Sequence, residues 1–335
     1  MAGAAFLEQE SEQYSALLQM ELKSGSTFPA ARQSALSKIY EKKGGNPVQT
    51  LLSAPNNILG LEYCKAILRQ NSHLQPVTIL RQGAGYHDQI DSASQNGGTG
   101  SFSLPPQAYA SASGIRNALY REFPDGLHGK DGQSFRGLDF LPAPVRTAFS
   151  QANPLWPEDF SALLNAKILA ASEPGCEKSP AFSEISDFSQ DMAFRLSRLS
   201  LDFTGWEGRI AQLKTRQYTY TRISRALTKL LLGITSQQIQ DWKSIGYAPY
   251  ARILGFRKTA APLLSELKKS SRIPLITKPA AAFDTLSGSA LQEFQKDLYA
   301  SHLYQCALEQ RCHRGSAGSD TVMKNELNRK LLVLE

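Results

Sequence analysis

Cysteine is scarce in this chain. Four occur in 335 residues (Cys64, Cys176, Cys306 and Cys312), and no CxxC pair is among them. That excludes a zinc ribbon and a dithiol redox pair, and it fits a reduced, cytoplasmic setting. No apolar run of about 18 residues occurs, so no membrane-spanning helix is expected. The five histidines, His73, His87, His128, His302 and His313, stand apart with no HExxH or other metal-ligand spacing. No metal site is therefore expected. No GxSxG supports a serine hydrolase and no GxxxxGK[ST] marks a phosphate loop. The first 25 residues carry four Glu and no leading basic cluster. Neither a signal peptide nor a transit peptide is read from them. No feature points to a protein partner.

What the chain does have is positive charge, unevenly spread. The net charge is +7, and most of the excess falls after residue 150. From Arg209 to Lys229 there are six basic side chains, and no acid occurs between Glu207 and Asp241. Such asymmetry suits a polyanionic partner, and equally a solvated basic face.

Apolar spacing predicts helices over residues 5–23, 30–42, 58–69 and 111–123. "PVTILR" (76–81) is short, β-branched and apolar, and reads as a buried strand. Residues 83–107 are rich in Gly, Ser, Gln and Asn and read as a long loop. Helix, strand, loop and helix make a fragment of an open α/β sheet, with too few strands for an independent doubly wound domain. Beyond Leu138 the pattern turns helical: 140–152, 157–171, 183–203, 260–270 and 286–310. "YARILGF" (250–256) and "IPLIT" (273–277) are short strand candidates. Residues 313–335 show no clear pattern.

Two constellations could carry chemistry. In "PNNILGLEYCKAIL" (55–68), Asn56 or Asn57 opens a helix, and Asn57 stands where it would cap one starting at Ile58. Ser111 or Ser113 opens another helix, with Arg116 near its first turn. Helix N-termini gather unpaired N–H groups and bind phosphates, although capping alone explains each. Arg81 follows the strand candidate, where ligands of open α/β sheets collect. The second constellation is Arg222, Arg225 and Lys229, spaced to share one helical face while Ile223, Ala226, Leu227 and Leu230 take the other. Lys214, Arg216, Tyr218 and Tyr220 stand just upstream. Cations interleaved with tyrosines suit RNA, and an ordinary amphipathic helix with a basic side would look the same.

Several blocks together resemble the bacterial tRNA-Met cytidine acetate ligases, relatives of the HxGH nucleotidyltransferases. They are "PNNILGLEYCKAIL", "STFPAARQSAL" (26–36), "SASGIRNAL" (111–119), "LKTRQYTYTRISRAL" (213–227), "YAPYARILGF" (247–256) and "IPLITK" (273–278). The resemblance runs over about residues 5–280. It implies ATP-dependent activation of acetate to acetyl-AMP. Acetyl transfer to the wobble cytidine of elongator tRNA-Met then gives N4-acetylcytidine. It implies ATP with Mg2+ as nucleotide, and tRNA and acetate as partners. Asn56 and Arg81 match nucleotide-contacting positions, and Ser113 and Arg116 more loosely match a second phosphate motif. Lys214, Arg216, Arg222, Arg225 and Lys229 would meet tRNA.

The family's "NPFHNGH"-type loop, whose histidines contact ATP phosphates, has no counterpart here, and catalytic residues are not assigned. The resemblance implies a fold of α/β plus α. Residues 1–135 would be the C-terminal remnant of a Rossmann-like nucleotidyltransferase domain, in a chain lacking the HxGH-containing part. Residues 136–312 would form a mainly helical tRNA-binding domain with a few short strands, and 313–335 a tail. Two other readings stay open: a non-catalytic tRNA-binding module, and an adenylyltransferase-like enzyme acting on a small molecule.

Overall fold

The structure is a computed structural model that describes residues 12–26, 28–41, 55–79, 112–122, 145, 154–172, 182–215, 217–312 and 323–335. The chain divides into two compact units, Met1–Gln82 and Gly83–Glu335. The boundary expected near residue 135 lies outside the described residues.

In the first unit, α1 (Glu12–Lys23) turns at Gly25, whose φ of +90° a side chain would resist, into α2 (Phe28–Glu41). Tyr14, Ala35 and Leu36 form its core, joined by Ile58 and Leu61 of α3 (Pro55–Arg69). Arg32 of α2 donates to Glu62 of α3 at 2.7 Å. Burial raises the Glu62 carboxyl's pKa, but that hydrogen bond and the charges of Lys65, Arg32 and Arg69 outweigh it and hold it below its ordinary value.

Two expectations fail in this unit. Helix α3 begins at Pro55, not Ile58, so Asn56 and Asn57 both lie inside its first turn and Asn57 is not the cap. Proline's fixed φ suits the first helical position, where its missing N–H costs nothing. Nor is 76–79 a buried strand: it is irregular, with Val77 86% and Ile79 93% exposed. A strand needs a hydrogen-bonded neighbour, and the described residues supply none.

The second unit is mostly helical: α4 (Ala112–Glu122), α5 (Ser161–Ala171), α6 (Gln190–Arg198), α7 (Trp206–Leu213), α8 (Tyr220–Leu232) and α9 (Ser236–Ser244) precede its strands. Ile168, Met192, Leu196, Ile210, Ile223 and Leu227 lie in one core. Each fully buried side chain of this size contributes about 1.5–3 kcal/mol. The period-based helix over 183–203 is shorter in the fold. Asp187 takes a left-handed φ of +71°, Ser189 caps α6, and Phe203 stands 82% exposed.

Strand β1 (Ala251–Arg252) pairs in parallel with β3 (Leu275–Ile276), and β2 (Gly255–Arg257) with β4 (Leu332–Leu334). Between β2 and β3 runs α10 (Ala261–Ser270). After β3 come the short α11 (Ala282–Thr285) and the long α12 (Gly288–Cys312). Ile276, Leu286, Phe294 and Leu298 make a second core here. The segment expected as a tail is anchored where it is described: Glu326 is buried and accepts from Arg252 at 2.6 Å, and β4 extends β2. The mainly helical fold with a few short strands agrees with expectation; the α/β remnant shows no strand among its described residues.

Candidate functional site

Helix α3 and the segment after it enclose a groove of about 650 Å³ lined by Asn57, Gly60, Cys64, Ile67, Leu74 and Val77. The "PNNILG" motif therefore borders an open, largely apolar groove. Asn56 lies in the first turn of the same helix, and its side chain lies outside the described residues, as does all of Arg81.

Ser113 and Arg116 are brought together in the first turns of α4, where Arg116 Nη2 donates to Ser113 Oγ at 3.3 Å. Leu119 is buried, and Tyr120 meets Trp156 edge to face with centroids 5.3 Å apart. The helix is thus anchored by its later turns while its first turns carry a hydroxyl and an exposed guanidinium. A hydroxyl, a guanidinium and helix N–H groups form a donor set that can donate to phosphate oxygens.

The basic stretch is sorted by the fold into unlike roles. Helix α8 buries Ile223, Ala226, Leu227 and Leu230, as their spacing predicts, and is capped by Thr219 and by Gly233 at a left-handed φ of +64°. Its cations are not all available. Arg225 Nε and Lys229 Nζ lie 2.6 and 2.8 Å from Asp187 Oδ2, and Lys229 also donates to Ser186 Oγ at 2.9 Å. Arg225's hydrogen bond, with help from Lys229, outweighs burial and holds the Asp187 carboxyl below its ordinary value. Arg222 lies over the Tyr218 ring, 5.0 Å from its centroid, so that tyrosine's face is taken by a cation. Lys214 is exposed, and Arg216 lies outside the described residues.

Arg209, counted with the basic run, is fully buried. Its guanidinium donates to Leu199 O at 2.8 Å, Asn165 Oδ1 at 2.9 Å, Gln212 Oε1 at 3.1 Å and the Asp202 carbonyl. It holds a loop and is no phosphate ligand. The sequence carries no signal for Asp187, which lies 38 residues from Arg225 with no local pattern linking them.

Residues 1–318 match the family model described as HIGH Nucleotidyl Transferase. A tRNA(Met) cytidine acetate ligase of Thermoanaerobacter sp. (strain X514) is 30% identical over 305 residues, covering 91% of this chain and 67% of that relative. The Bacillus subtilis (strain 168) protein of the same name is 28% identical over 296 residues, covering 87% and 62%. The crystal structure of Thermotoga maritima TmcAL superimposes with a TM-score of 0.73 at 22% identity, covering 99% of this chain and 73% of that one. A second form of that protein, bound with alpha-thio ATP, gives 0.70. The chain spans about two thirds of the length of these relatives. Among the described residues no helix is long and apolar enough to cross a membrane. The chain belongs to the tRNA(Met) cytidine acetate ligase family of HIGH nucleotidyltransferases.

Proposed function

We propose that this chain takes part in ATP-dependent acetylation of the wobble cytidine of elongator tRNA-Met. The observation that carries the reading is 30% identity to a named ligase across 91% of the chain. Acetate is a poor acyl donor. Attack of its carboxylate on the α-phosphate of Mg2+-bound ATP expels pyrophosphate and gives acetyl-AMP. The cytidine N4 amine then takes the acetyl group, AMP leaves, and a proton is released. Such a reaction needs positioning and charge stabilisation more than a protein nucleophile. Asn56 and Arg81 are assigned to the nucleotide, and the Ser113–Arg116 pair to its phosphates. Lys214, Arg216 and Arg222 are assigned to tRNA, with Arg225 and Lys229 contributing as far as Asp187 releases them.

The test is acetate-dependent and ATP-dependent formation of N4-acetylcytidine on elongator tRNA-Met. It is run with this chain and with a form carrying a family "NPFHNGH"-containing segment ahead of residue 1. Labelled acetate in the wobble cytidine is the expected result; no label with either form sinks the proposal.

The exposed Lys214 and the cations of α8 also fit a second reading, a tRNA-binding module without turnover. It requires salt-sensitive tRNA affinity and no acetyl transfer in either form. A small-molecule adenylyltransferase would instead release pyrophosphate with no tRNA present.

A further inference from the structure

A second cationic surface lies away from α8, on the unit built from β1, β2, α10 and β3. Parallel pairing of Ala251 with Leu275 and Arg252 with Ile276 requires the intervening chain, which holds β2 and α10, to leave from one end of the pair and return to the other. That return fixes two ends. Arg257 and Lys258 follow the outgoing strands and Lys278 follows β3, at one end. Lys268 and Lys269 close α10 and Arg272 leads into β3, at the other. A ten-residue helix separates the two groups by about 15 Å.

All six side chains belong to exposed residues, and Glu266 is the one acid from Arg257 to Lys278. Lys258 approaches Glu335 at 3.4 Å with both side chains largely in water. The other five meet no carboxylate among the described residues. Among the described residues, none of α10 is buried. The contrast with the basic stretch is physical: there Arg209 is buried and Arg225 and Lys229 are held by Asp187.

We infer that this strand–helix–strand surface is a docking face for the tRNA sugar–phosphate backbone, its two cationic ends meeting phosphates about 15 Å apart. The choice of RNA rests on the proposed function; the surface itself rests on the geometry. Cations grouped at two ends of one strand–helix–strand segment suit a charged backbone with repeated phosphates. Leu263, Leu264 and Leu267 give a ten-residue helix too little apolar area to hold a membrane.

The test reverses charge at Lys268→Glu, Lys269→Glu and Arg272→Glu together, and separately at Arg257→Glu, Lys258→Glu and Lys278→Glu. A control of equal charge change uses Lys23→Glu, Lys167→Glu and Lys243→Glu, also exposed residues. tRNA affinity is measured across a salt series, with unfolding curves confirming that each variant is folded. Each phosphate contact contributes about 0.7–0.9 to the slope of log affinity against log salt. Each test variant should therefore lose about 2–3 from the slope and at least about tenfold in affinity beyond the control. If the unaltered chain binds tRNA and neither test variant exceeds the control, this surface assignment fails and the proposed function stands. If the unaltered chain binds no tRNA at low salt, this surface assignment fails, and the acetylation assay decides the proposed function separately. Binding to vesicles of anionic phospholipid that the test variants lose, with tRNA affinity unchanged, overturns the choice of RNA.

Discussion

Replacing Asp187 with Asn asks whether α8 faces RNA with its charges free or tied. Asp187 sits at a φ of +71°, a conformation that Asn adopts readily, so the substitution keeps the backbone and removes only the charge. Two cations then lose their anchor, Arg225 at 2.6 Å and Lys229 at 2.8 Å. The Arg225 side chain is 59% exposed, which leaves its pair a few tenths of a kcal/mol; the more enclosed Lys229 pair adds more, for a total of about 1 kcal/mol. The sign with pH follows from the carboxyl being held below its ordinary 3.8. A depressed folded value means the stabilisation is fully present above the unfolded value and disappears as pH falls through the folded one. Urea unfolding should therefore separate the two proteins at pH 7 and bring them together as the pH falls through the lowered folded value. On the RNA side, two freed cations should steepen the salt slope of tRNA affinity by up to about 1.4–1.8 and raise affinity several-fold at low salt. An unchanged slope would show that Arg225 and Lys229 do not face RNA. A stability gap that persists undiminished at low pH would show that the ion pairs are not its source.

Arg209→Met should cost about 3–5 kcal/mol in urea unfolding, because the acceptors Leu199 O, Asn165 Oδ1 and the Asp202 carbonyl lose a buried cation. A loss under about 1 kcal/mol would refute that accounting. Glu158→Ala should cost about 1–2 kcal/mol, since its carboxylate takes the Trp206 and Glu207 amides at 2.8 and 2.9 Å and caps α7 from a distance. Burial raises its pKa, but those amides and Ser161 outweigh burial and hold it below 4.5, so the cost should be full above that pH and fade below it. Arg116→Ala, at an exposed position, should raise the ATP requirement of an acetylating form while leaving the unfolding midpoint in place; an unchanged ATP requirement would remove Arg116 from the phosphate site.

The sequence made the helices legible because their pattern is local. Ile223, Ala226, Leu227 and Leu230 recur at the helical period and are all buried. Helix ends were less legible. Pro55 starts α3 ahead of both asparagines, and Asp187 with Ser189 stops the apolar period of 183–203 from becoming one helix. Strands were legible only as candidates, since pairing is non-local. Leu275–Ile276 found a partner in Ala251–Arg252, whereas the equally β-branched residues 76–79 found none among the described residues. Leu332–Leu334, with no pattern of its own, pairs with Gly255–Arg257 more than seventy residues away. Of the four nucleotide candidates the structure brings Ser113 and Arg116 into contact, a neighbourhood that their spacing of three already implied.

The sequence by itself determined the family, the helical periods and the excess of positive charge, since each is written in residue order. Tertiary structure decided which of those charges a partner can reach. Arg209, Arg225 and Lys229 look alike along the chain, yet the first is sealed in the core and the other two are tied to an acid about forty residues away. The Lys268–Arg272 and Arg257–Lys278 groups are exposed, on either side of α10 in the chain. A cation's availability depends on burial and on its nearest carboxylate, and both are set by contacts distant in sequence.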